Sequence, residues 1–318
     1  MTNKEKYRKF CEVEDNIPIY SKDWWLDCVC GEDNWNVAII EKNSHIVASM
    51  PYFVLHKKSI FTFINMPKLT QNMGPYIKYP EKQKYDKKLS YEKDIMNRLI
   101  DLLPEYDMFN QNFHYKITNW LPFYWKGFNQ TTKYTYIIKD MPDIETAWNN
   151  FSKTARSTIN KAKKNLTIDE SDDIELFYEI NKMTFDRQNR SMPYSFEFIK
   201  NLDLHTKKNK SRKILFAKDI KGNIHVAVYI IWDFHSVYLI MSGGNPELRN
   251  SGAKNLLVYE VIKFAIENNL TFDFEGSMIE NIEAHIKSFG AVQMPYFNIS
   301  KTNSKILKIK KLIDEVRE

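Results

Sequence analysis

Two short stretches of the sequence combine residue types that handle anions and protons. The first is Arg249-Asn250-Ser251-Gly252, directly before an apolar-periodic run that starts at Ala253. A helix starting there has unpaired N–H groups and a partial positive charge in its first turn, which suits a phosphate or diphosphate. Gly252 lets such a ligand approach the backbone, and Arg249 adds a cation. The second is Glu275-Gly276-Ser277, at the exit of a strand over Thr271–Phe274. A carboxylate partly enclosed at a strand end has its pKa raised toward neutrality, and becomes a usable base. The plainer alternatives are that Gly252 only starts a helix, and that Glu275 caps the next helix or pairs with Lys287.

Arg156, Lys161, Lys163 and Lys164 lie off the apolar stripe of their helix, and no acidic residue falls between Glu145 and Asp169. That face suits a phosphate-bearing substrate, cofactor or RNA, or is a solvated helix face. Arg187 and Gln188, followed by Arg190 and Pro193, fit a polar turn that contacts substrate. The 7 histidines form no metal-ligand pattern, so no metal is expected. No Gly-x-Ser-x-Gly elbow and no phosphate-binding Walker loop is present, which argues against a serine hydrolase or a P-loop ATPase.

The elements that must position these residues follow from periodicity and punctuation. Five of the 9 glycines fall between Gly243 and Gly290. They separate strand Val237–Ser242, a turn at Gly243-Gly244, the polar loop, helix Ala253–Asn268 and strand Thr271–Phe274. If those two strands share a sheet they are parallel, and ligands of such sheets sit beyond the strands' carboxyl ends. Upstream, the pattern predicts one helix over Glu145–Leu166, another over Ile174–Gln188, and a hairpin of Lys213–Ala217 with His225–Trp232. Downstream come helix Ile279–Phe289, strand Gln293–Ile299 and a basic helix Ser304–Arg317. The first half has a short helix through Cys28, strands Asn36–Glu41, Ile46–Leu55 and one near Ile60–Ile64, helix Lys87–Leu103, and strands Met108–Phe113 and Tyr134–Ile138. Asp140, Pro142 and Asp143 interrupt the pattern, so the expected domains are 1–140 and 141–318.

The 318 residues suffice for two cored domains, and the net charge of +6 favours anionic partners without marking a nucleic-acid binder. Cys11, Cys28 and Cys30 make no closed disulfide framework and read as reduced thiols. With no apolar leader and no run of about eighteen apolar residues, a cytoplasmic protein is expected.

The order of antiparallel meander, helix and parallel strand resembles the GNAT acyltransferase superfamily, whose diphosphate loop has the form Gln/Arg-x-x-Gly-x-Gly/Ala. Arg249 and Gly252 match it, and Lys254 stands where a small residue belongs. Phe272 through Met278, and Ile282 through Phe297, resemble the closing strand–helix–strand of Fem-like double-GNAT proteins. Lys153 through Ala162 resembles their Arg-x-x-Ile-x-Lys-Ala helix, and Thr184-x-x-Arg187-Gln188 also recurs there. In the first half Trp24 through Asp27, Cys30, Trp35, Pro67 through Gln71 and Gly74-Pro75 resemble a bacterial branch of that group. The resemblance implies two tandem GNAT-like α/β domains, each a mixed, mostly antiparallel sheet flanked by helices, with the better-kept site in the second.

It also implies an acyl group moved from acyl-coenzyme A to an amine of a small molecule or cell-envelope precursor, by direct attack. In that reading Arg249, Asn250, Ser251, Gly252 and Ala253 hold the coenzyme. Glu275 is the base, Tyr238 and Tyr296 are acids toward the thiolate, and Arg156, Lys161, Arg187, Gln188 and Lys287 contact substrate. A Fem-like aminoacyltransferase using aminoacyl-tRNA is the alternative, and a ligand-binding protein without catalysis is the third. Fem transferases carry Phe-Lys-x-x-Phe in the last helix. Here the stretch is His285-Ile286-Lys287-Ser288-Phe289, with the lysine one position late, about 100° around the helix.

Overall fold

The computed structural model describes residues 1–57 and 60–317. In chain order the elements are α1 (Asn3–Val13), α2 (Asp23–Cys30), β1 (Trp35–Lys42), β2 (His45–Lys57), β3 (Phe61–Asn65), β4 (Tyr76–Ile77), α3 (Tyr85–Asp101), β5 (Met108–Asn112), α4 (Leu121–Trp125) and β6 (Asn129–Ile138). Then follow α5 (Ile144–Asn150), α6 (Lys153–Lys163), β7 (Leu166–Glu170), α7 (Ile174–Arg187), α8 (Phe196–Lys208), β8 (Arg212–Asp219), β9 (Ile224–Trp232) and β10 (Ser236–Gly244). The last are α9 (Ala253–Glu267), β11 (Thr271–Asp273), α10 (Glu280–Lys287), β12 (Val292–Thr302) and α11 (Lys305–Arg317).

The chain forms two compact units, Met1–Lys133 with Pro295–Glu318, and Tyr134–Met294. The break expected at 140/141 thus differs from the observed one, which lies inside β6. The chain's last segment also rejoins the first unit, because β12 pairs antiparallel with β5 from Asn298↔Asn112 to Thr302↔Met108. Strand pairing between distant segments leaves no local composition signal.

In the first unit, β1–β2 and β2–β3 are antiparallel and β3–β5 is parallel. Ile95, Met96 and Leu99 of α3 pack on Ala38, Met50 and Phe109. Cys11, Cys28 and Cys30 are buried free thiols, and burial pushes Cys11 and Cys28 up to about 12. Their thiolates are therefore scarce at neutral pH.

The second unit holds the order β7-β8-β9-β10-β11-β6, antiparallel except for β10–β11. Side chains alternate across β9. Val228 and Ile230 join the core built with Ala155, Ile159, Leu257 and Val261 of α6 and α9. Tyr229 instead meets Phe177 of α7, with ring centroids 5.5 Å apart. Helices α5, α6 and α9 therefore cover one face, and α7 and α8 the other.

Two local expectations are corrected here. The single helix expected over Glu145–Leu166 is broken at Phe151-Ser152, where Ser152 becomes an N-cap, its Oγ accepting from Ala155 N at 3.1 Å. Leu166 begins a strand instead. The apolar stripe runs through both helices, so periodicity alone hides the break. Gly243 and Gly244 are not a turn but the last residues of β10. A Cβ on Gly243 would lie 2.2 Å from Asn181 Cα of α7. The glycine is there so that helix and strand backbones can touch.

Candidate active site

Strands β10 and β11 run side by side for three pairs, Ser236↔Thr271, Val237↔Phe272 and Tyr238↔Asp273. Beyond them β11 stops, while β10 continues to Gly244 with a register irregularity between Leu239 and Met241 against β9. The expectation that the two strands are parallel neighbours in one sheet is met. The gap they leave lies at their carboxyl ends, beyond the last β10–β11 pair.

Both sides of the gap are fixed by hydrogen bonds. On β10, Asn181 Nδ2 donates to the Ser242 carbonyl at 2.9 Å, and Gly244 N donates to Thr184 Oγ1 at 3.1 Å. Asn181 is itself held by Tyr194 OH at 2.7 Å. After β11, the buried Asp273 Oδ1 accepts from Thr135 Oγ1 and, at 2.7 Å, from Glu275 N. This turns the chain into two successive left-handed residues, Glu275 at φ 64° and Gly276 at φ 66°. For Glu275 that conformation is strained, and such strain gathers where a side chain must be aimed. A Cβ on Gly276 would fall 2.1 Å from Tyr134 O, so the second position must be glycine.

The Glu275 carboxyl is half-buried, and burial raises it to about 8. At neutral pH it is mostly protonated, so it is set to give a proton, and its minority ionised form can take one.

The loop before α9 is a 3-10 turn, Pro246–Ser251, started by Asn245 Oδ1 accepting from Glu247 N at 2.9 Å. Arg249 and Asn250 are exposed, Ser251 and Gly252 half-buried and Ala253 buried. Ser251 Oγ accepts from Ala253 N at 3.3 Å. Gly252 has φ 79°, and a Cβ on it would lie 2.8 Å from Thr158 Cγ2 and 3.0 Å from Thr158 O of α6. Its glycine is thus required by the contact of the two helices and by its left-handed backbone. Close approach of a phosphate, the sequence reason, is not needed to explain it.

Lys254, in the first turn of α9, sends its Nζ back across the strand end to Ser242 Oγ. Burial lowers this ammonium to about 8. His285 of α10 packs its ring on Phe289, centroids 5.3 Å apart. Burial, with a smaller push from the Lys254 charge, lowers His285 to about 4, so its imidazole is neutral at pH 7. Among the described residues its buried Nε2 has no hydrogen-bond partner.

Residues 149–280 match the model of the Acetyltransferase (GNAT) domain family. That segment is a GNAT domain. It contains the gap, the loop before α9 and Glu275. No curated protein matches the chain. Among solved structures, a FemX crystal structure superposes with TM-score 0.68 at 12% identity, over 93% of this chain and 96% of that one. The C-terminal domain of a putative lysylphosphatidylglycerol synthetase from Agrobacterium fabrum gives 0.56 at 10%, over 99% and 97%. A conserved protein of unknown function from Bacteroides thetaiotaomicron VPI-5482 gives 0.56 at 12%, over 95% and 98%. At these identities the likeness is one of fold, and the fold is the Fem-like GNAT arrangement the sequence motifs resemble.

The GNAT domain brings together only part of the residue set expected from sequence. Tyr238 is 1% exposed, and its hydroxyl donates to Asp233 Oδ2 at 3.1 Å, toward the amino end of β10 and away from the gap. Tyr296 lies in the other unit. Lys287 is exposed and pairs with Glu283 at 3.3 Å, not with Glu275. Arg156 and Lys161 share one face of α6 with Lys153, Ser157, Asn160 and Lys164, around a shallow surface depression. Lys163 instead sits over the Tyr259 ring, 3.8 Å from its centroid. Arg187 and Gln188 are exposed at the end of α7, a helix on the opposite sheet face. Ser242 and Lys254 were missed, because a lysine after Ala253 reads only as a mismatch to a small residue. Among the described residues no three His, Cys, Asp or Glu side chains are grouped to hold a metal, and no helix is long and apolar enough to cross a membrane.

Proposed function

We propose that this chain is an N-acyltransferase that takes an acyl group from acyl-coenzyme A and delivers it to an amine of a small molecule or cell-envelope precursor in the cytoplasm. The observation that carries the reading is the gap beyond Tyr238 and Asp273. It has Glu275 on one side and the N-terminus of the 15-residue helix α9 close by. The strand edge beyond the last β10–β11 pair suits the pantetheine amides of the donor. The first turn of α9 with the exposed Arg249 suits its diphosphate. Glu275 suits proton transfer to or from the reacting groups. The test is isothermal titration with coenzyme A. The expected result is binding by the wild type that weakens about tenfold in Arg249→Glu, in line with loss of a charge-assisted contact. Absence of heat with the folded wild type sinks the donor assignment. Arg249 is the right residue to change because it is exposed, whereas any side chain at Gly252 disrupts the α6–α9 contact.

A second reading is favoured by the basic face of α6. There the donor is aminoacyl-tRNA, and a FemX and a putative lysylphosphatidylglycerol synthetase share the fold. It calls for RNA binding that falls steeply with salt and with Arg156→Glu. The same titration separates the two, with tRNA in place of coenzyme A.

A further inference from the structure

Helix α11 turns isoleucines toward solvent. Ile306, Ile309 and Ile313 are between 47% and 66% exposed. At about 100° per residue they fall within about 60° of one another on the helix. Lys305 and Lys310, both exposed, flank this stripe on its two sides. Asp314 is turned about 100° from its middle, and the half-buried Leu307 lies on another face. The start of α11 is fixed to the rest of the first unit. Asn303 N donates to Asp107 O at 2.8 Å, and Asn303 Nδ2 to Tyr106 O at 3.0 Å. Lys301 Nζ donates at 2.7 Å to the carbonyl of Lys126, the residue after α4. Lys126 in turn pairs with Asp101, the last residue of α3, at 2.7 Å. The ends of α3 and α4 and the start of α11 therefore converge. Helix α4 also exposes apolar surface at this end. Tyr124 and Trp125 are each more than half exposed, and Lys93 Nζ stands 5.0 Å from the Trp125 ring centroid.

We propose that this end of the first unit docks on an anionic lipid bilayer, with α11 lying in the headgroup layer. Aliphatic side chains left in water gain free energy by entering the acyl region. Indole and phenol rings sit well at headgroup level, and flanking lysines keep their ammonium groups at the lipid phosphates. The other occupants satisfy only half of the surface. An RNA engages the lysines and leaves the isoleucines in water. A second copy covers the isoleucines but sets the two lysine rows against each other. An anionic bilayer takes up both the apolar stripe and the charge beside it. The docking is peripheral, since no helix among the described residues is long and apolar enough to cross a membrane. It does not depend on which acyl donor the second unit binds.

The experiment sediments the full chain with sucrose-loaded vesicles, with neither coenzyme A nor RNA present, so failure here leaves the titration result standing. One set is phosphatidylcholine alone, and the other has about a third of it replaced by phosphatidylglycerol. The expected result is binding to the mixed vesicles only, weakened by added salt. Ile309→Asp should weaken it at least about tenfold, through loss of one inserted aliphatic side chain. Lys305→Gln with Lys310→Gln should weaken it about twentyfold, each lysine near a charged surface contributing about fivefold. With mixed vesicles whose acyl chains are brominated, tryptophan fluorescence should be quenched, and less so in Trp125→Phe, which still binds. All four positions are exposed, and the thermal midpoint confirms that each variant is folded. No binding to the mixed vesicles, equal binding to phosphatidylcholine alone, full binding by Ile309→Asp, or unchanged quenching in Trp125→Phe overturns the proposal. A dimer that Ile309→Asp dissociates, with no vesicle binding, overturns it in favour of a second copy.

Discussion

The second unit buries charge in two ways, on opposite faces of one sheet. On the α7–α8 side, Arg212 is only 4% exposed in its side chain, and reaches Asp203 at 2.8 Å and Asp172 through a second nitrogen. Tyr229 donates to the same Asp203 at 3.0 Å and meets Thr206 at 2.6 Å. Burial alone would lower the Arg212 guanidinium, but Asp172 and Asp203 hold it above its ordinary value. At the β10–β11 gap burial is the largest cause of the shifts, and Lys254, Glu275 and His285 all move toward their neutral forms. Charges held by partners brace a fold, whereas Lys254 and Glu275, both displaced to about 8, are available to exchange protons.

The largest effect expected from breaking this contrast lies on the braced side. Arg212→Met leaves Asp203 buried and facing Tyr229 without its cation. Unfolding in urea should show a loss of about 3–5 kcal/mol, the cost of stranding one member of a buried pair. Coenzyme A binding, measured on the folded fraction, should be unchanged. If Arg212→Met is neutral, the network does not brace the fold.

Next in size is the seam that connects this side to the gap. Gly243→Ala puts a Cβ against the α7 backbone, which cannot yield as a side-chain tip would. A loss of about 1–3 kcal/mol is expected for such overpacking. Ligand binding should also weaken, because Asn181 and Thr184 of α7 hold the end of β10. A stability loss with intact binding would show that this end of β10 does not shape the site.

What was legible in the sequence follows the range of the forces involved. The hairpin of β8 and β9, helix α9 and strand β11 have local signals: alternation, a 3.6-residue stripe and a polar turn. Glu275 at a strand exit was legible for the same reason. Ser152 was not, since its capping role is hidden inside an uninterrupted apolar stripe. Gly243 and Gly252 stood out as glycines, but their reasons, α7 in one case and α6 in the other, are tertiary contacts. Tyr238 had the right chemistry on the right strand, yet the alternation of side chains does not say that its hydroxyl would be spent on Asp233. Ser242 and Lys254 belong to different elements, and only the fold puts them in contact.

The smallest effects are in the pH dependence of stability, and they separate the two regions by sign and range. Glu275 is raised from 4.5 to about 8 in the folded chain. The folded state therefore binds a proton that the unfolded state has lost, and this contribution is complete below 4.5 and disappears as pH rises through 8. Lys254 is lowered from 10.5 to about 8, so its burial weighs against folding below 8 and is relieved between 8 and 10.5. Asp172 runs the other way. Held at about 2 by Lys207 first and then Arg212, it supports folding above 3.8 and loses that support as pH falls toward 2. Urea titrations from acid to alkaline pH should thus show Glu275→Gln gaining on the wild type between pH 4.5 and 8. The advantage of Lys254→Met should fade above pH 8. Asp172→Asn should differ from the wild type above pH 3.8 and converge with it only in acid. A Glu275→Gln profile parallel to the wild type would mean that the carboxyl is solvated and ionised at neutral pH. It would then be an ordinary surface acid, and the contrast between the two faces would rest on Lys254 and His285 alone.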